Sequence, residues 1–193
     1  MAEHRLIAVN GNKPPGRRLS RTQLGVALGM ASGFCLSAII IVVGAHWQPF
    51  GSGAVPNFAT RLQFALGASI LVFVWLVAAI GDVARARFFS ADDIEGSGLS
   101  RASAGMSVRL AILENTFEQA VLAAGAYLGL AAVSAQALVW IPPLVLLFWI
   151  GRAAFWIGYR HGAVGRAFGF ATTFYPSVFA YIVAIIAIAD QWA

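Results

Sequence analysis

Glu114, Asn115, Glu118 and Gln119 fall at the front of an apolar run that reads as membrane-spanning. An ionised side chain inside hydrocarbon costs roughly 2.5–3.5 kcal/mol on insertion scales, so a residue there marks a functional site by default. Arg152 and Tyr159 interrupt the next apolar run, and Arg166 opens the one after it. Glu114 and Glu118 are four apart and Asn115 and Glu118 three apart, so with Ala111 they share one helical face. Arg152, Phe155 and Tyr159, spaced three and four, form a single stripe on the following helix. Two carboxylates, an amide, a phenol and two guanidiniums could thus meet in one pocket. Guanidinium groups grip carboxylates bidentately, which suits a small anionic ligand. An ion-pair and hydrogen-bond network that only fixes helix packing needs the same residues, and the residues alone leave the two readings open.

The elements that carry these groups follow from composition. The chain has 193 residues, 60% hydrophobic and only 11% charged, with a mean hydropathy of +0.78. A soluble domain carries about 25% charged residues, so this is one membrane domain. The net charge of +5 would hint at nucleic acid in a soluble protein. Here the basic residues sit in short segments between apolar runs, which is a topology signal, and no nucleic-acid partner is expected. The one cysteine, Cys35, lies in an apolar run, so no disulfide or cysteine-based metal site is available and the thiol reads as packing. There is no phosphate-binding glycine loop, no His/Cys metal spacing and no nucleophile elbow. His4, His46 and His161 read as surface residues, and no metal site is expected.

Five spans are expected. Residues 1–22 form a basic tail, with Arg5, Lys13, Arg17, Arg18 and Arg21 around Pro14-Pro15. Residues 24–45 then run about 22 residues without a charge, too long for a signal-peptide core and long enough to span, so a retained helix is expected. Its Gly25, Gly29, Gly33 and Ser37 share a face that admits a close neighbour, in this bundle or in another subunit. A loop over 46–57 carries Trp47 and Phe50 as interfacial anchors. The second span covers 58–84. A polar segment over 85–106 follows, with a short surface helix expected around Phe88–Ile94. The charge-free run from 119 to 151 is too long for one span and breaks at Ser134-Ala135-Gln136, giving spans over 107–133 and 137–160. Pro142-Pro143 predicts a bend early in the fourth span. Pro176 predicts a kink in the fifth, 164–189, freeing the Thr172 carbonyl for a nearby threonine hydroxyl.

Charge placement supports five spans. Of 13 basic residues, all but Arg61 fall on the side that holds the tail, the 85–106 segment and the 160–166 turn. The positive-inside rule makes that side cytoplasmic, N-terminus included. At ~1.5 Å per residue, Glu118 lies ~16 Å along the third span from that side, and Arg152 ~12 Å from it on the fourth. An unpaired charge there is costly and a pair much less so, which predicts a structural ion pair between Glu118 and Arg152, within a chain or across a subunit boundary.

Asn115-x-x-Glu118, then Arg152-x6-Tyr159-x6-Arg166 across the next turn, resembles the MAPEG family of membrane-associated proteins in eicosanoid and glutathione metabolism. The resemblance covers 58–190, includes Arg85-x-Arg87 and the Gly169–Pro176 stretch, and makes 23–57 an added helix and loop before an all-α, four-helix bundle. It implies a homotrimer that binds glutathione as co-substrate between subunits near the cytoplasmic face. By position it implies ligand contacts from Asn115, Glu118, Arg152, Tyr159, Arg85 and Arg87, and a catalytic, thiolate-stabilising role for Arg166. Ala111 and Glu114 stand where family enzymes place arginines, and Phe155 replaces a polar ring. Loss of two cations should weaken an anionic tripeptide's binding. The function expected is glutathione-dependent transferase or peroxidase chemistry on a lipophilic electrophile. Its rival is a non-catalytic protein of the same fold, whose polar cluster is structural or holds another anionic or lipid ligand. Many Ala and Gly residues and a single lysine suggest a bacterial inner membrane.

Overall fold

The computed structural model describes residues 20–44, 46, 55–96 and 101–192. Most of the basic tail, Trp47 and Phe50 lie outside the described residues. Five helices follow one another: α1 (Arg21–Gly44), α2 (Phe58–Phe88), α3 (Ala104–Val133), α4 (Ile141–Tyr159) and α5 (Gly162–Trp192), with a 3-10 turn over Gln136–Trp140 leading into α4. All five helical stretches are long and apolar enough to cross a membrane. The protein is an all-α, multi-pass integral membrane protein. α5, at 31 residues, is ~46 Å long against a hydrocarbon core of ~30 Å, so its ends reach the polar interface.

Local chemistry sets where the helices begin. Ser20 and Gln23 form a reciprocal capping box: the Gln23 N–H donates to Ser20 Oγ at 3.2 Å and the Ser20 N–H to Gln23 Oε1 at 2.8 Å. That box starts α1 at Arg21, three residues before the apolar run. Asn57 Oδ1 accepts from the Thr60 N–H at 2.9 Å and opens α2. Helix α2 then continues to Phe88, past the expected end at 84, with Arg85 and Arg87 in a last turn whose exposed carbonyls favour cations.

The surface helix expected over Phe88–Ile94 does not form. Residues 91–95 are turns, because Asp93 folds them back onto the start of α3. The Asp93 carboxylate accepts the Ser103 N–H and the Ser103 hydroxyl, each at 2.8 Å, and the Ser90 hydroxyl at 3.0 Å. Ser103 itself caps α3, accepting from the Met106 N–H at 3.2 Å. Backbone and side-chain hydrogen bonds from Ser103, then the Ser90 hydroxyl and the charge on Arg87, hold the Asp93 carboxyl below its ordinary pKa against the opposing effect of burial.

Both proline expectations are refined. Pro142 and Pro143 occupy the first turn of α4, where a missing N–H has no partner to lose, just after the winding changes from 3-10 to α. α5 is helical through Pro176. The threonine hydroxyls bond carbonyls upstream of Thr172: Thr172 Oγ1 donates to Phe168 O at 2.8 Å and Thr173 Oγ1 to Phe170 O at 2.9 Å.

Contacts fix an up-and-down bundle. Asp82 meets Arg109 at 3.1 Å between the end of α2 and the start of α3. Trp149 Nε1 donates to Leu71 O at 3.2 Å between α4 and α2. Gln191 Nε2 donates to Val133 O at 2.8 Å at the opposite end. The core is built on small residues, Ala65, Ala68, Ala120, Ala123 and Ala126, around Tyr127, Leu130, Leu147 and Phe148. Small side chains let apolar helices approach closely where no water drives them together. The glycine face of α1 packs on this chain's own α5: Gly25 against Val164, Gly29 against Ala167, Gly33 against Ala171 and the Phe168 carbonyl. Large apolar side chains such as Ile70, Val77 and Ile185 point outward, where lipid solvates them.

Candidate functional site

The four positions of the α3 face come together as their spacing requires. Ala111, Glu114, Asn115 and Glu118 line one side of a cavity of about 450 Å³. Phe155 and Tyr159 of α4 and Arg166 and Phe170 of α5 line it as well. Arg166 reaches in because α4 and α5 are joined tightly. Gly162, with φ of +73°, lies in the left-handed region that favours glycine and opens α5 directly after Tyr159-Arg160-His161. Gly158 and Gly165 then bring the two backbones together so closely that neither could carry a side chain without displacing the other.

Behind the cavity lies Arg152, the largest fully buried side chain, 1% exposed. Its Nη1 donates to Asn115 Oδ1 at 3.0 Å and its Nη2 to Thr173 Oγ1 at 2.8 Å, so one guanidinium ties α4 to both α3 and α5. Its Nε has no acceptor among the described residues. The guanidinium carbon lies 4.5 Å from the centre of the Phe155 ring and 5.9 Å from that of Phe148. Ring faces attract such a cation, more strongly when it is desolvated. Phe155 stacks edge-on with Tyr159 at 5.4 Å, and Arg166 sits over the Tyr159 ring at 4.8 Å. Two guanidiniums therefore flank one aromatic pair, the first sealed in protein and the second facing the cavity.

Glu118 and Arg152 are linked through an amide. Asn115 Nδ2 donates to Glu118 Oε2 at 3.4 Å while its Oδ1 accepts from Arg152. The expected direct ion pair is not made within one chain, since Asn115 stands between the two charges and Thr173 takes the other arm of the guanidinium. No ion pair joins Glu114, Glu118, Arg152 or Arg166 to another described residue. Arg85 and Arg87 lie outside this cavity. Arg85 pairs with Asp82 at 3.4 Å and lines a separate depression with Ser90, Asp93 and Ser103. Arg87 is aimed at the Gly96 turn.

A family model, that of the MAPEG family, matches residues 62–186. The chain belongs to the MAPEG family. Neither a curated protein nor a solved structure matches it. The MAPEG segment contains every residue of the α3–α4–α5 cluster and excludes all of α1. Membership brings a membrane-protein class linked to the metabolism of lipophilic substrates, with a general association with glutathione-related chemistry.

Two features of the site escaped sequence reasoning. Thr173 is a principal partner of Arg152, and its one signal was a hydroxyl residue near the depth of a charge on the neighbouring span. Val26 and Met30 of α1 also line the cavity. Nothing in their types or spacing separates them from residues that face lipid.

Proposed function

We propose that this MAPEG protein is a membrane enzyme that activates the thiol of glutathione for attack on a lipophilic electrophile. The observation that carries the reading is charge convergence. Glu114, Glu118 and Arg166, none of them ion-paired to another described residue, line one cavity whose other walls are largely apolar. Charges of both signs facing the same space suit a zwitterion. Glutathione offers an ammonium for the carboxylates and a carboxylate or thiolate for the guanidinium. Asn115 and Tyr159 supply neutral hydrogen-bonding groups beside them.

The chemistry follows from Arg166. A fixed cation favours the ionised thiol and lowers its pKa, so more of it is nucleophilic at neutral pH. In the transfer, the thiol proton leaves to water. A sulfur lone pair forms the new carbon–sulfur bond, and the leaving group departs with the electron pair of the broken bond. With a lipid hydroperoxide the same thiolate would attack oxygen. Two thiols would then give the disulfide, the alcohol and water. Arg166 acts as the catalytic group, Asn115 and Glu118 hold the peptide, and Tyr159 lines the reacting end. Arg152 positions Asn115. We place the cavity end of the bundle on the cytoplasmic side, where the basic residues gather, and we propose the homotrimer that the family resemblance implies.

Adding glutathione to the purified protein should raise the ultraviolet absorbance of thiolate in proportion to bound ligand, and Arg166→Ala should abolish that rise. No binding at millimolar glutathione would contradict the reading. One observation favours the non-catalytic alternative: the cavity carries two carboxylates and one guanidinium, with Ala111 offering no second cation. In that case Glu118→Gln and Arg152→Leu disrupt assembly, while Arg166→Ala changes nothing measurable.

A further inference from the structure

One wall of the cavity comes from a helix outside the family match. α1 ends before residue 62, yet Val26 and Met30 line the same space as Glu114, Glu118 and Arg166. The two are four residues apart and share one face of α1. Packing against α5 sets where that face points. A side chain at Gly33 would begin 2.8 Å from the Phe168 carbonyl oxygen and 2.9 Å from both the Ala171 Cβ and the Thr172 Oγ1. A side chain at Gly29 would begin 3.1 Å from the Ala167 Cβ. Turning α1 about its axis would bring larger residues into those contacts, so Val26 and Met30 are held toward the cavity.

Their chemistry is opposite to that of the wall they face. α3 presents two carboxylates and an amide, while α1 presents a branched hydrocarbon and an unbranched thioether, both half-buried. Methionine, with its flexible side chain, adapts to apolar surfaces of varied shape. The cavity thus has a charged side and an apolar side, and an amphiphile would lie across it with its head on α3 and its tail on α1.

We infer that α1 is the acceptor wall of the site. Val26 and Met30 receive the apolar part of the lipophilic substrate and limit its size. This rests on the thiol-transfer reading above and adds residues that the family-matched segment does not contain.

The test titrates two ligands into the full-length protein in lipid nanodiscs: glutathione, and S-hexylglutathione, which carries a hexyl chain on the sulfur. Met30→Ala should weaken S-hexylglutathione about fourfold, the worth of roughly one buried methylene. Met30→Trp, which fills the space meant for the tail, should weaken it about tenfold or more, since overpacking is also unfavourable. Neither change should move glutathione itself by more than about twofold. Leu28→Ala, on the same helix but 64% exposed, should alter neither ligand. If both ligands bind but the Met30 variants treat them alike, this inference is overturned and the thiol-transfer reading survives. If neither ligand binds the unaltered protein, the two fall together.

Discussion

Arg152 keeps a charge inside the bundle with no carboxylate of the described residues in contact. Its partners are an amide, a hydroxyl and two aromatic faces, and the nearest linked acid, Glu118, is one amide away. Hydrogen bonds to charged groups are worth about 1.5–3 kcal/mol, so Asn115→Leu should lower stability by about 2 kcal/mol in denaturant unfolding from mixed micelles. Asn115→Asp combined with Glu118→Gln should be tolerated better, since it offers the guanidinium a carboxylate without setting a second one against it. Equal losses for both would mean that the Arg152 contact contributes little. The spacings in α3 and α4 were enough to show that these residues face one another. That Asn115 stands between Glu118 and Arg152, in place of the direct pair expected, was not legible, because periodicity fixes the face of a residue and leaves open which of two neighbours its side chain reaches. Asn115 is closer in kind to a linker than to a ligand contact alone. Thr173 was hidden for the same reason: its hydroxyl had two plausible duties, and only coordinates distinguish them.

Two elements set the bundle's shape near the cavity end: the glycine face of α1 and the turn after α2. Gly33→Leu should detach α1 from α5, because the space beside Gly33 is already filled by backbone and by Ala171 and Thr172. Cysteines placed at Gly25 and Val164 should cross-link readily in the parent protein and poorly in the Gly33→Leu variant. The four-residue spacing of small residues revealed that α1 has a close neighbour. That the neighbour is this chain's own α5 needed the structure. The turn over 91–95 makes a pH-dependent clamp through Asp93. Folding lowers this carboxyl's pKa, so its stabilising contribution is full above the unfolded aspartate pKa and is lost as pH falls through the lower, folded value. Acidification through that window should loosen the turn, seen as faster proteolysis near Ala91, and Asp93→Asn should remove most of the pH dependence. The surface helix expected here was misread because Phe88, Phe89 and Ile94 are apolar and exposed, while the deciding contact, Asp93 to Ser103, spans ten residues.

The whole molecule is an up-and-down bundle whose five spans were legible from hydropathy, loop polarity and the distribution of basic residues. Span boundaries moved by only a few residues wherever a cap, such as Ser20, or a helix-end cation overrode the hydropathy edge. The cavity's outline was less legible, since it depends on how closely two glycine-bearing interfaces bring α1 and α4 against α5. If the proposed orientation is right, cysteines introduced near His161 should be labelled by impermeant maleimide only from the cytoplasmic side. Native mass spectrometry from nanodiscs should give three copies if the proposed assembly holds. The cavity, however, holds charges that form no ion pair with another described residue. Calorimetric titration of glutathione into the reconstituted protein tests this most directly. The account requires saturable binding in the millimolar range or tighter, weakened about tenfold by Arg166→Ala and by Glu118→Gln, the loss of one charge-assisted contact each. Heats no different from buffer dilution, or identical curves for the parent and both variants, would contradict it.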